Sequence, residues 1–195
     1  MKTKLTLMIA SLFVLSLVGL VAAVGNGAGV QGSEQGEMLR AQVMNGSYSG
    51  GGGQQMMVQQ TTNARVRLEV GGIGAECDCN MTQEQSQNQT KLYAALSNGK
   101  NAEIKVMPNA ASETALEKLR LRSCDEGNNC SIELKEVGAG EKAQLAYEVK
   151  AERSSRVLGL FRARMNVQTQ VNAETGEVIS TNKPWWAFLA TEAEE

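Results

Sequence analysis

Four cysteines are the residues whose type and spacing most invite chemistry in this chain, which contains no histidine at all. Without an imidazole the commonest general base and the commonest metal ligand are both missing. A Ser-His or Cys-His nucleophile pair cannot be built. Ser-Lys or carboxylate chemistry stays open in principle, but no spacing points to either, so the expectation is a non-enzyme that needs no cofactor.

The cysteines fall as Cys77-Asp78-Cys79 and as Cys124 and Cys130 around Asp125-Glu126-Gly127-Asn128-Asn129. Three pairings are possible. The second pair flanks a turn-forming run that brings its Cα atoms within bridging distance, which favours a local Cys124–Cys130 disulfide. Cys77 and Cys79 are then left to each other, or to a partner chain. The alternative is metal or redox chemistry at the thiols. A four-thiolate zinc site wants two or more residues between paired cysteines, so Cys-x-Cys fits poorly. Thioether sulfur from Met38, Met44, Met56 and Met57 could add soft ligands for Cu(I). These methionines lack regular close spacing, and a flexible linker is the simpler reading of their surroundings.

The redox compartment follows from the first 24 residues. Lys2 and Lys4 precede an uncharged apolar stretch over 5–24 that ends in the small residues Val21-Ala22-Ala23. A basic head, apolar body and small-residue tail make a secretory signal. Its length is also about the 20 residues that cross a bilayer, so residues 1–23 are a signal peptide or an uncleaved signal anchor. No cysteine follows that would carry a lipid anchor. Everything beyond is expected outside the cytoplasm, secreted or held at the membrane, where cysteines oxidise.

The chain has 19 basic and 21 acidic residues, and Lys2 and Lys4 are the only charges in the leader, so the remainder carries 17 against 21, a net of −4. That mild acidity, without a basic stripe, argues against nucleic acid as a partner. Four sequons, Asn45-Gly46-Ser47, Asn80-Met81-Thr82, Asn88-Gln89-Thr90 and Asn129-Cys130-Ser131, suit an exported glycoprotein.

Residues 24–60 read as a Gly/Gln/Met-rich linker. From residue 61 to 182 the pattern predicts one α+β domain, a helix packed on a mainly antiparallel sheet. Ala64, Val66, Leu68 and Val70 alternate with charged residues, the period of a half-buried strand. A polar loop is expected over 77–90. Leu92, Ala94 and Leu96, then Asn98-Gly99, then Ala102, Ile104 and Val106 predict a tight hairpin. Pro108-Asn109 opens a helix over about 109–121, with Ala111, Ala115, Leu116 and Leu119 on one face. Strands follow at Ile132 and Leu134, at Leu145, Tyr147, Val149 and Ala151, and at Met165, Val167, Thr169 and Val171. Glu174-Thr175-Gly176-Glu177 turns the last one into Val178 and Ile179.

Residues 109–181 resemble a PepSY-type domain. Its parts stand as Ala115-Leu116 in the helix, Ala146-Tyr147-Glu148-Val149, and Val171-Asn172-Ala173-Glu174-Thr175-Gly176-Glu177-Val178-Ile179, with Asn172 in place of the usual aspartate. The whole chain also resembles exported archaeal proteins ending in Pro-Trp-Trp-Ala-Phe-Leu-Ala, here residues 184–190. PepSY-type domains occur in propeptides of secreted metallopeptidases and in envelope proteins. The resemblance implies binding of a protein partner, as an inhibitor or assistant of a secreted peptidase, rather than catalysis.

Two apolar stretches offer a binding face. Leu158, Leu160 and Phe161 are flanked by Arg153, Arg156, Arg162 and Arg164. Trp185, Trp186 and Phe188 lie in the Trp-rich segment of 183–195, ahead of an acidic tail. Tryptophan suits interfaces, offering a large apolar area with one polar handle. Core packing on the sheet is the alternative for both, and a structural envelope component the alternative role. Intact mass of the exported protein, with and without reduction and thiol labelling, is expected to start at Val24 with no labelled thiol. A retained apolar segment would make it an anchored protein, and labelled Cys77 and Cys79 would restore the metal or redox reading.

Overall fold

The computed structural model describes residues 41–50, 53–61, 65–86, 89–124 and 129–192, all within the unit Glu37–Glu195. The leader, the linker up to residue 40, Met38 and Asn88 lie outside the described residues.

The first three strands come from the stretch read as linker: β1 (Ala41–Gln42), β2 (Gly46–Ser49) and β3 (Gln55–Gln60). On β3, Met56 and Val58 point inward while Gln55, Met57 and Gln59 face out. That period-two pattern was hidden by the glycines around it. Met56 is buried and Met57 half-exposed, so the methionines divide between core and surface rather than gather.

Next come β4 (Val66–Val70) and β5 (Ile73–Cys77), joined at Gly71-Gly72. The expected polar loop is instead a hairpin of β6 (Met81–Ser86) and β7 (Gln89–Ala95). Its polar sequence concealed it: among its described residues the buried ones are Met81, Glu84 and Leu92 to Ala94. The Asn98-Gly99 turn joins β7 to β8 (Asn101–Glu103), as the spacing predicts. The helix α1 (Pro108–Leu119) starts with proline at its first turn and buries Ala111, Ser112, Ala115 and Leu119. Then follow β9 (Ser131–Val137), β10 (Gln144–Val157), β11 (Phe161–Asn172), β12 (Val178–Asn182) and β13 (Ala190–Glu192).

These strands make two sheets, which overturns the expected α+β fold of one helix on one sheet. A four-stranded sheet runs β1-β6-β7-β8, and a nine-stranded sheet runs β12-β11-β10-β9-β5-β4-β3-β2, with β13 on β10. The molecule is mostly β, with one α-helix among the described residues. Pairing is antiparallel throughout except β5 with β9, so the mainly antiparallel character stands. The physical reason for the miss is burial. One helix cannot cover nine strands, and the second sheet shares that work: Leu92 and Ala94 from it join Leu68, Leu134, Tyr147 and Val149 in a common core.

The central strands are held on their outer face by charge. Glu148 is almost wholly buried, with Oε1 2.6 Å from the Lys135 ammonium and 2.8 Å from that of Lys150. Lys150 also reaches Glu133 at 3.1 Å, so it separates two carboxylates that stand directly opposite across β9 and β10. The amide nitrogens of Gln168 and Gln170 donate to Oε2. Burial alone pushes the Glu148 carboxyl up; the Lys135 and Lys150 ammoniums and the Gln170 amide outweigh it and hold the group at about 2.

A depressed carboxyl stabilises the fold above the ordinary glutamate value of 4.5 and loses that contribution as pH falls toward about 2. The shift is worth roughly 3 kcal/mol at about 1.4 kcal/mol per pH unit. Urea unfolding of the wild type and of Glu148→Gln across that window should show the wild-type advantage shrinking by about that amount. A constant difference between the two would mean that the carboxylate is not clamped.

Candidate functional site

The binding-face candidates come from two stretches of sequence, and one long hairpin brings them together. β11 pairs with β10 over its whole length, from Asn172 opposite Ala146 to Phe161 opposite Val157. β13 runs along the other side of β10, with Ala190 opposite Val157. The Leu158 N–H donates to the Leu189 carbonyl at 2.9 Å, so the hairpin tip and the Trp-rich segment lie side by side.

The tip is a three-residue loop, Leu158 to Leu160, between the paired Val157 and Phe161, and within it the Leu160 N–H donates to the Val157 carbonyl at 3.1 Å. Leu158 and Gly159 both sit in the left-handed region, with φ of 53° and 72°. Such a turn matches the twist of the strands it joins, but it prefers Asn-Gly over a branched residue. An apolar side chain therefore occupies a position whose backbone disfavours it. Exposure is 63% at Leu158, 77% at Leu160 and 66% at Phe161. The core-packing alternative does not describe this turn.

The Trp-rich segment divides its aromatics. Residues Trp185–Leu189 form a 3₁₀ turn that begins after Pro184. Side chains three apart eclipse in such a turn. Trp185 and Phe188 accordingly share its outer side, 81% and 77% exposed. Trp186 turns inward with Ala187, against a small second core of Leu119, Ala151, Met165 and Val167. Five of the six apolar candidates are thus exposed, and Trp186 pins the segment that presents two of them. Full burial of each exposed side chain would be worth roughly 1.5–3 kcal/mol that this fold leaves unused.

The flanking arginines fall on both faces of the hairpin. Arg156 and Arg162 stand directly opposite one another across the strands. Like charges so placed are unfavourable. Arg164 reaches Glu152 at 3.8 Å. Arg153, opposite Met165, is on the same face as the helix.

The remaining sequence candidates are structural in their surroundings. Cys77 bonds to Cys79, with Cα atoms 5.3 Å apart, and Cys124 bonds to Cys130 at 5.1 Å. Cys77 is buried in the core and Cys130 packs beside it. The second bridge ties the helix exit to the start of β9. Asn45, Asn80 and Asn129 are exposed, and the Asn45 side-chain oxygen accepts from the Gln60 N–H. Within the PepSY-like motif, the Asn172 side-chain oxygen accepts from the N–H groups of Glu174 and Thr175 at 2.8 and 3.0 Å. Those residues build their own hairpin turn, a role asparagine fills as well as aspartate. Sequence reasoning missed the basic wall around the Trp-rich segment, because Lys118, Arg120 and Lys183 are scattered along the chain.

Among the described residues no group of His, Cys, Asp and Glu side chains could hold a metal ion, and no helix is long and apolar enough to cross a membrane. Comparison with protein-family models, with curated proteins and with solved structures finds no match for this chain.

The turn geometry makes a sharp prediction. Leu158→Asn creates the preferred Asn-Gly turn and should raise stability by up to about 1 kcal/mol in urea unfolding. A loss of more than that would mean the leucine packs against something and is not a displayed group.

Proposed function

We propose that this protein is an extracytoplasmic, non-enzymatic binding domain that engages a protein partner through its apolar end. The observation that carries the reading is the joint display of Leu158, Leu160, Phe161, Trp185 and Phe188 from two ordered turns. A clustered aromatic and aliphatic surface on a well-packed scaffold is the usual anchor of a protein interface. The export signal, the two disulfides and the lack of histidine fit such a role outside the cytoplasm.

The most specific form is a PepSY-like modulator of a secreted peptidase. Its support is the order of the resembling parts, helix Pro108–Leu119 followed by antiparallel β9, β10 and β11 and the turn at Asn172. Attachment to the membrane through the N-terminal segment belongs to the same proposal.

A photo-crosslinking residue at Phe161 in the exported protein tests both levels. The expected product is a discrete protein adduct, lost in a Leu160→Ser, Trp185→Ala double variant. The same probe at Lys100 should not give it. Equal labelling from Lys100, or adducts to lipid alone, would overturn the binding reading. If the captured protein is a peptidase, adding the purified domain should change its activity. A partner without peptidase activity would end the PepSY-like form alone.

A further inference from the structure

A cleft of about 800 Å³ opens beside the strap that carries the tryptophans. One wall is the last part of α1, with Thr114, Glu117 and Lys118, and Arg120 just beyond it. The β10–β11 hairpin supplies Arg153 and Met165, and the chain crossing from β12 to β13 supplies Lys183, Ala187 and Ala190. Four cations from three separate elements thus meet around one opening, with Glu117 the one acid among its described lining residues.

That convergence runs against the composition. The chain beyond the leader carries a net charge of −4, yet this cleft gathers Lys118, Arg120, Arg153 and Lys183. Lys118 and Arg120 complement the negative end of the helix dipole, which accounts for two of them. Lys183, on the strap, has no helix end to complement. Desolvation, followed by repulsion from Arg153, Arg120 and Lys118, pushes the Lys183 ammonium below its usual range. Mutual repulsion of this kind is relieved when an anion enters.

Arg120 shows a second cost. It closes the helix with φ 56° and ψ 48°, and the N–H groups of Arg120 and Leu121 bond back to Glu117 and Leu116. Glycine is the usual residue at this left-handed position, because a Cβ is disfavoured there. Here the chain keeps a long cation instead. A left-handed backbone kept at a cation beside the cleft motivates a functional reading of that residue.

We propose that this cleft binds an organophosphate, with the phosphate among Lys118, Arg120, Arg153 and Lys183 and the organic part against Met165, Ala187 and Ala190. Arginine offers a planar fork of donors to phosphate oxygens, and lysine adds compact charge. The volume lies in the range of small-molecule sites and leaves room beyond a bare anion. The source of the phosphate is either a soluble metabolite or the headgroup of an anionic lipid. The site shares the strap with the apolar end but is lined by none of its five exposed apolar residues, so its fate does not depend on the protein-binding proposal.

Intrinsic fluorescence provides the readout, because Trp186 packs beside Ala187 on the strap. The mature chain is titrated with glycerol phosphate, and separately with phosphatidylcholine vesicles with and without phosphatidylglycerol. Saturable binding is expected, weakened at least about tenfold by Lys183→Gln and by Arg120→Gly, as expected for loss of a charge-assisted contact. Arg120→Gly should at the same time keep or raise the melting temperature, which separates lost binding from lost folding. A response to glycerol phosphate alone assigns a soluble ligand; a response only to vesicles containing phosphatidylglycerol assigns a lipid headgroup. No saturable response to any probe would overturn the proposal. So would equal weakening by Lys100→Gln, a lysine that pairs with Glu141 away from the cleft.

Discussion

A phenol taken out of water must find an acceptor, and the position of Tyr147 in this fold follows from that requirement. Its ring is fully buried and its hydroxyl donates to the Val106 carbonyl at 2.8 Å. Leaving that hydroxyl unpaired would cost on the order of 1–3 kcal/mol. The bond holds the segment before the helix against the middle of β10. The same segment donates from Lys105 and Val106 to the Ala173 carbonyl, at the end of β11. One buried side chain thereby aligns the helix entry, the central strand and the last hairpin turn. β10 then extends in register past the common core, which is why its far end projects as a hairpin carrying the exposed leucines.

The hairpin end and the strap depend on each other. Without Trp186 and Ala187 on Leu119, Ala151 and Met165, the distal part of the ribbon would expose an apolar face along its length. Without the ribbon, the Trp-rich segment would have no strand for β13 to join. This mutual cover creates the second small core, places two aromatics outward, and leaves the cleft between strap and helix. Among the described residues three non-glycine positions have left-handed φ, Arg120, Asn129 and Leu158. Asparagine tolerates that conformation. The arginine and the leucine tolerate it poorly, and they belong to the cleft and the apolar tip respectively. Backbone cost is thus concentrated where the molecule displays charge and apolar surface.

Fold class was less legible than individual elements. The helix, the Asn98-Gly99 hairpin, the alternation on β10 and β11 and the Glu174 to Glu177 turn could all be read from local pattern. β3 and β6 could not. The first has two inward residues among glutamines and glycines, and the second is nearly all polar. A strand made of such residues is stabilised by neighbours remote in sequence, which no local period reports. The excess of β over the expected α+β fold follows from those strands. The site was half legible: the apolar candidates could be named, but their adjacency could not, because it rests on β13 crossing to β10.

The sequence by itself determined composition-level chemistry and local geometry. It excludes imidazole catalysis, begins with two lysines ahead of an apolar stretch, and encodes turns and strand periods through residues whose preferences act within a few positions. Tertiary structure alone decided what those elements enclose. Two sheets share one core because the buried faces of the strands must be covered from both sides. Four cations from distant positions meet because the strap crosses the ribbon beside the helix end. The reason is one of range: backbone preferences are local, whereas burial and charge depend on which surfaces the chain finally brings into contact.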